Sequence, residues 1–133
     1  MDDPAIVGYD KGVIAFCLVE EPHGVTVQVL GPALRTFGDF VNHDLFGREG
    51  VEQQLETARA VLAGTYTEGR RDGVERPATT YERGHNAHHV SITPTRTVIT
   101  FDGSGRRSEA PTSDYIAFLE ELLRYADEVE RIR

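Results

Sequence analysis

Residues 113–131 carry two apolar stripes side by side, and no other feature narrows the possible folds as far. Ile116, Leu119, Leu123 and Ala126 recur at helical spacing, with Tyr115, Phe118, Leu122, Tyr125 and Val129 beside them. The pattern predicts a helix over 113–131 whose buried face is wider than a helix resting on one sheet requires. Such a helix must lie between a sheet and another helix, or also meet a second subunit. In the second case a homodimer would form through the face of Tyr115, Phe118, Leu122 and Tyr125. Thr112 or Ser113 is the expected N-cap, and Asp114 places negative charge in the first turn, where the helix end is positive.

A second helix is predicted over 48–63, where Val51, Leu55, Ala58 and Leu62 form one stripe. Gly64 should end it, since glycine adopts the left-handed conformation of a C′ residue without steric cost. Glu49, Glu52 and Glu56 line another face of this helix. Glu56 has Arg59 three residues on, and Glu120 has Arg124 four residues on, so part of the acidic charge is expected to be paired locally.

The strands are read from alternation. Residues 5–9 could open a sheet. Residues 13–20 and 25–30 should form a hairpin across Glu21-Pro22-His23-Gly24, because Val25, Val27 and Val29 share one face. Residues 33–47 fit neither period, and are expected to be a loop or short helical turn with aromatics packed beneath. Residues 67–78 are polar, with two glycines and a proline, and are expected to be a mobile loop. Strands follow at 79–83, 87–93 and 96–102, and Asp102-Gly103-Ser104-Gly105 should end the sheet. Strands, helix, strands, helix predicts one α+β domain over 1–133. The expected form is two-layered, an antiparallel sheet of five to six strands with two helices packed on one face.

Composition then limits function. The net charge is −8, spread as −6 over residues 1–66, +1 over 67–112 and −3 over 113–133. Such a surface repels nucleic acid and attracts a basic protein. Glu49, Glu52 and Glu56, with Asp39 and Asp44, are the candidate contacts for that partner. The acidic start Met1-Asp2-Asp3-Pro4 lacks the basic and apolar regions of a secretory leader, and no run of about 18 apolar residues occurs, so a cytoplasmic protein is expected. Cys17, the single cysteine, lies in an apolar run and is expected to be a buried, inert side chain.

The segment Arg83-Gly84-His85-Asn86-Ala87-His88-His89 is the one cluster with metal-ligand or acid–base chemistry. Zinc needs three or four converging ligands. On a strand, His88 and His89 point to opposite faces, and His85 could join one of them only through a bend at Gly84. Glu82 or Asp102 could supply a carboxylate. No nucleophile or oxyanion donor accompanies these histidines, so neither a cofactor nor catalytic residues are expected. Gly103-Ser104-Gly105 lacks the Walker pattern and reads as a turn.

Val51-Glu52-Gln53, the Leu62-Ala63-Gly64 stop and Arg83-Gly84-His85 ahead of a strand pair and a final helix resemble the small bacterial YacL-type proteins over Val51 to Phe101. The layout is also similar to immunity proteins of contact-dependent and other polymorphic toxin systems. The Arg-rich segment 67–78 and the absence of tryptophan depart from that pattern. The resemblance implies a small, acidic, non-enzymatic α+β protein that binds and blocks a toxin domain, here a basic, nuclease-like one. Two other readings stand beside it: a homodimeric structural domain, and a small histidine-based or metal-dependent enzyme around His85, His88 and His89.

Overall fold

The computed structural model describes residues 5–6, 13–69 and 73–132. Strands β1 (Ala5–Ile6), β2 (Phe16–Glu21) and β3 (Gly24–Val29) form an antiparallel three-stranded sheet in that order. A helical stretch follows: a 3₁₀ turn over Pro32–Leu34, α1 over Arg35–Phe40, and a π turn over Val41–Leu45. Helix α2 (Arg48–Ala63) leads into the two-stranded hairpin β4 (Thr67–Gly69) and β5 (Glu75–Pro77). Strands β6 (Tyr81–Gly84), β7 (His88–Ile92), β8 (Arg96–Phe101) and β9 (Arg107–Pro111) make a four-stranded antiparallel meander. Helices α3 (Thr112–Leu123) and α4 (Ala126–Val129) end the described chain.

The protein is α+β, as its pattern predicts, but among the described residues the strands divide among three sheets instead of building one, and two further helices join the expected pair. The expected hairpin is present, with Phe16, Leu18, Val25, Val27 and Val29 turned inward. Cys17 faces the other way, half-buried and 3.9 Å from the Gln28 side chain, because alternation puts it opposite Phe16 and Leu18. Of the strand expected at 5–9, Ala5–Ile6 is seen and the rest lies outside the described residues.

The stretch without a clear period, 33–47, is helical. Phe37, Phe40, Val41 and Leu45 are buried on its inner side, while Phe46 is exposed at the turn that follows. Helix α1 packs against β3 of one sheet and β8 and β9 of the other. Its switch to π geometry blurs the 3.6-residue spacing that a sequence reading relies on. The next turn approaches so closely that a Cβ at Gly50 would stand 2.0 Å from the Leu45 carbonyl oxygen, so only glycine fits there. Helix α2 has the predicted bounds and ends at Gly64, in the left-handed conformation with φ 77°. Val61 rather than Leu62 completes its buried stripe, and Leu62 is exposed.

Two further expectations are corrected. Residues 67–69 and 75–77 are paired strands, with Glu68 opposite Arg76, where a mobile loop was expected. The sheet does not end at Gly105, because β9 pairs with β8 from Thr100↔Arg107 to Arg96↔Pro111. The inward residues of β9 are Ser108 and Ala110, too small to register as an apolar alternation. Ser108 Oγ accepts the Thr36 backbone N–H at 3.1 Å, which links β9 to α1.

Helix α3 begins one residue earlier than expected. Pro111 is its N-cap, and the Thr112 hydroxyl donates to the Thr93 carbonyl at 2.6 Å instead of capping the helix. Tyr115, Phe118 and Leu122 are fully buried against the chain's own α2, β8 and β9, and Tyr125 is half-buried. A second copy therefore finds none of the first three side chains at the surface. Their rings stack within the core: Phe16 on Phe118 at 5.5 Å and Phe37 on Tyr115 at 5.5 Å. The expected helix to 131 breaks at Arg124–Tyr125, which lets the chain turn so that Val129 and Ile132 are buried. There the Arg131 carbonyl accepts the Val25 N–H, Ile132 bridges Val25, and the Arg131 guanidinium pairs with Glu20.

The outer edge of β3 is satisfied by a side chain. Asn42 Oδ1 accepts the Val27 N–H at 2.7 Å, and Asn42 Nδ2 donates to the Val27 carbonyl at 2.9 Å, as a neighbouring strand would. Replacing Asn42 with Ala leaves both groups of Val27 without these partners and should cost about 2 kcal/mol. Urea unfolding of Asn42→Ala against the parent chain measures this, and an unchanged midpoint would refute it.

Candidate functional site

Helix α2 turns its apolar stripe to the core and a second stripe, Gly50, Gln53, Gln54 and Thr57, to a polar cleft of about 490 Å³. The β4–β5 hairpin contributes Thr67, Glu68, Gly69 and Glu75 to this cleft, with Tyr66 just before it. Tyr81, Glu82 and Arg83 of β6 and the following His85 also line it, and the π turn adds Asp44 and Leu45.

Several contacts fix the lining. Gln54 is buried and accepts the Tyr115 hydroxyl at 3.0 Å, which holds the cleft side of α2 to α3. The Tyr66 and Tyr81 rings meet edge to face at 5.9 Å, and the Arg83 guanidinium lies 5.6 Å over the Tyr81 ring. The Tyr66 hydroxyl donates to Glu68 at 3.4 Å. Burial raises the Tyr66 hydroxyl's pKa above the ordinary phenol value, and the Glu68 charge adds to the effect. Burial also raises that of Tyr81. The Tyr81 hydroxyl stands 3.1 Å from His85 Nε2. Burial lowers the pKa of His85 below the ordinary imidazole value, with the Asp44 charge opposing that shift.

The three histidines do not converge. His88 is fully buried between the Phe40 and Phe101 rings, its Nδ1 2.8 Å from the Asp44 carboxylate. That geometry makes Nδ1 the protonated nitrogen, donating to Asp44. Nε2 is buried and has no hydrogen-bond partner among the described residues. His89 points outward, 3.4 Å from Glu82, as strand alternation requires. His85 stacks edge-on against Phe40 at 5.0 Å. Among the described residues, no three His, Cys, Asp or Glu side chains are grouped to hold a metal ion. Nor, among them, is any helix long and apolar enough to cross a membrane.

The five acidic candidates occupy three different settings. Glu49, Glu52 and Glu56 are exposed along α2. Glu49 accepts from Gln53 at 3.4 Å, and Glu52 pairs with Arg48 at 3.5 Å. Arg59, expected beside Glu56, reaches across to Glu120 at 2.5 Å instead. Asp39 is half-buried, 4.0 Å from Arg35, in a separate groove beside β3. The Asp44 side chain is fully buried, accepting the Ala87 N–H at 3.0 Å as well as facing His88, so its carboxylate is spent on the protein's own groups. Glu56 lines a second depression with Gln53, Thr57, Tyr66 and Thr67, four residues that also line the cleft. The two depressions therefore adjoin.

Sequence reasoning did not reach Tyr66, Glu68, Glu75 or Tyr81 as site residues. The polar stripe of Gln53, Gln54 and Thr57 on a helix was their one available signal, and it is indistinguishable in sequence from a solvated face. No protein-family model, curated protein or solved structure matches the chain, so the cleft is read from its own chemistry.

Removing the Asp44 carboxylate strips the buried His88 and the Ala87 N–H of their acceptor, and Asp44→Ala should cost about 3 kcal/mol of stability. Denaturant unfolding checks this. His85 gives a pH dependence of definite sign. Its folded pKa is depressed, so the unfolded chain takes up the proton first. The stability it contributes is complete above the unfolded value of about 6.5 and is lost as pH falls from there toward the folded value. His85→Gln should flatten the melting temperature over that window relative to the parent chain, and an unaltered profile would contradict the assignment.

Proposed function

We propose that this protein is a non-enzymatic binding protein whose acidic face receives a basic protein partner, most concretely an immunity protein that blocks a basic, nuclease-like toxin domain. The observation that carries the reading is the junction of two acidic surfaces. Glu49, Glu52 and Glu56 run along α2, and Glu56 sits at a depression adjoining the cleft that Glu68, Glu75 and Glu82 line. Complementary charge speeds the encounter of such a surface with a basic partner and makes the rate salt-dependent. The burial of His88 within the protein also favours binding over acid–base catalysis, since its imidazole offers no exposed atom to a substrate.

The test begins with a pull-down from the native host at low and high salt, followed by reconstitution from purified chains. An equimolar complex with one basic protein is expected, its association slowing several-fold as salt rises and slowing again in the charge reversals Glu52→Lys and Glu56→Lys. Association indifferent to both salt and charge reversal, or no complex at all, would remove the reading.

A further inference from the structure

We infer that the cleft between α2, the β4–β5 hairpin and β6 is a socket for one arginine side chain of the basic partner, a deepening that rests on the binding function proposed above. The cleft is a recess of about 490 Å³, large enough for a guanidinium and its alkyl stem, and its lining carries both elements that recognise a planar cation. The first is aromatic. Tyr66 and Tyr81 meet edge to face, and Tyr81 already holds one guanidinium, that of Arg83, against its ring. A guanidinium is weakly hydrated and stacks on a tyrosine face at low desolvation cost, whereas an ammonium keeps its water. The second is charge. Glu68 and Glu75 of the hairpin and Glu82 of β6, the last 3.4 Å from His89, are among the lining residues, and Arg83 is the one arginine or lysine among the described residues of the lining.

The remaining lining residues suit a fork of N–H donors. Gln53 and Thr57 offer oxygen acceptors from α2, and Thr67 offers another from β4. Imidazolium competition is weak at neutral pH, because burial holds His85 below the ordinary imidazole pKa and so favours its uncharged form. The walls are held in place independently of any ligand. Gln54 is anchored by Tyr115, and the β4–β5 hairpin is tied back by the Ala78 N–H donating to the Tyr66 carbonyl at 3.0 Å. A pre-formed recess loses little entropy on receiving the side chain.

The experiment is an NMR titration of the full chain with Nα-acetylargininamide, and with Nα-acetyllysinamide and Nα-acetylglutaminamide for comparison. The arginine probe should give saturable shifts centred on Thr57, Thr67, Glu75 and Arg83, several-fold tighter than the lysine probe, with the glutamine probe silent. The double variant Glu68→Gln, Glu75→Gln should weaken the arginine probe about fivefold. Asp127→Asn, the same kind of charge loss on α4, should leave it unchanged. Non-saturating shifts spread along α2, equal binding of the lysine probe, or indifference to the double variant would each overturn the socket. A salt-sensitive partner complex that tolerates the double variant would overturn the socket while leaving the binding function intact. Saturable arginine binding with no partner complex would keep the socket and remove the function.

Discussion

One turn of π helix ties the two main sheets together, and the rest of the structure is arranged around it. Within Val41–Leu45, Asn42 closes the outer edge of β3 through both of its amide groups, and Asp44 reaches the backbone of Ala87 and the ring of His88 in the meander. The two residues sit two apart in sequence and point to different sheets. These contacts are half-buried or buried, so removing either partner leaves polar groups that water cannot fully restore. They also explain the tight approach of α2, whose Gly50 rests against the Leu45 carbonyl at the end of the same turn.

From that turn follows the placement of the cleft. Gly50 allows α2 to begin directly on the π turn, and Tyr115 then fixes Gln54 one turn later. The polar side of α2 is thereby held facing β6 and the β4–β5 hairpin. Helix α3, whose double stripe fills the space between α2 and strands β8 and β9, is the apolar counterpart of this arrangement. Its Phe118 and Tyr115 carry the ring stacking that joins β2 and α1 to the core. The broad face that could equally have served a dimer is occupied within one chain.

The acidic side of the molecule combines residues with different tasks. Asp44 is structural, and Asp39 belongs to another groove. Glu49, Glu52 and Glu56 remain exposed along α2, beside a recess lined by Glu68 and Glu75 from a segment read in sequence as a loop and by Glu82 from one read as a strand. Net charge is a sum over the whole chain, and the fold decides which of those charges lie together at the surface.

Much of the architecture was legible wherever large apolar side chains repeat. The hairpin of β2 and β3, the bounds of α2 with its Gly64 stop, and the broad face of α3 all rest on burial at a fixed period, a local property that survives in sequence. The rest depended on partners distant along the chain. Strand β9 is held by β8 and by Thr36 while burying only Ser108 and Ala110, and the β4–β5 hairpin pairs with little burial at all. The break after Leu123 has neither glycine nor proline to announce it, and comes from the tail turning back to pair with Val25. Asp44 and Glu56 are chemically alike as acids in the sequence, yet one is sealed beneath the meander and the other is exposed beside the cleft. The sequence determined which segments bury an apolar face, because that is set by spacing along one element. Only the tertiary structure decided which polar groups meet, because such hydrogen bonds and the lining of a cleft are made by side chains that the chain order leaves far apart.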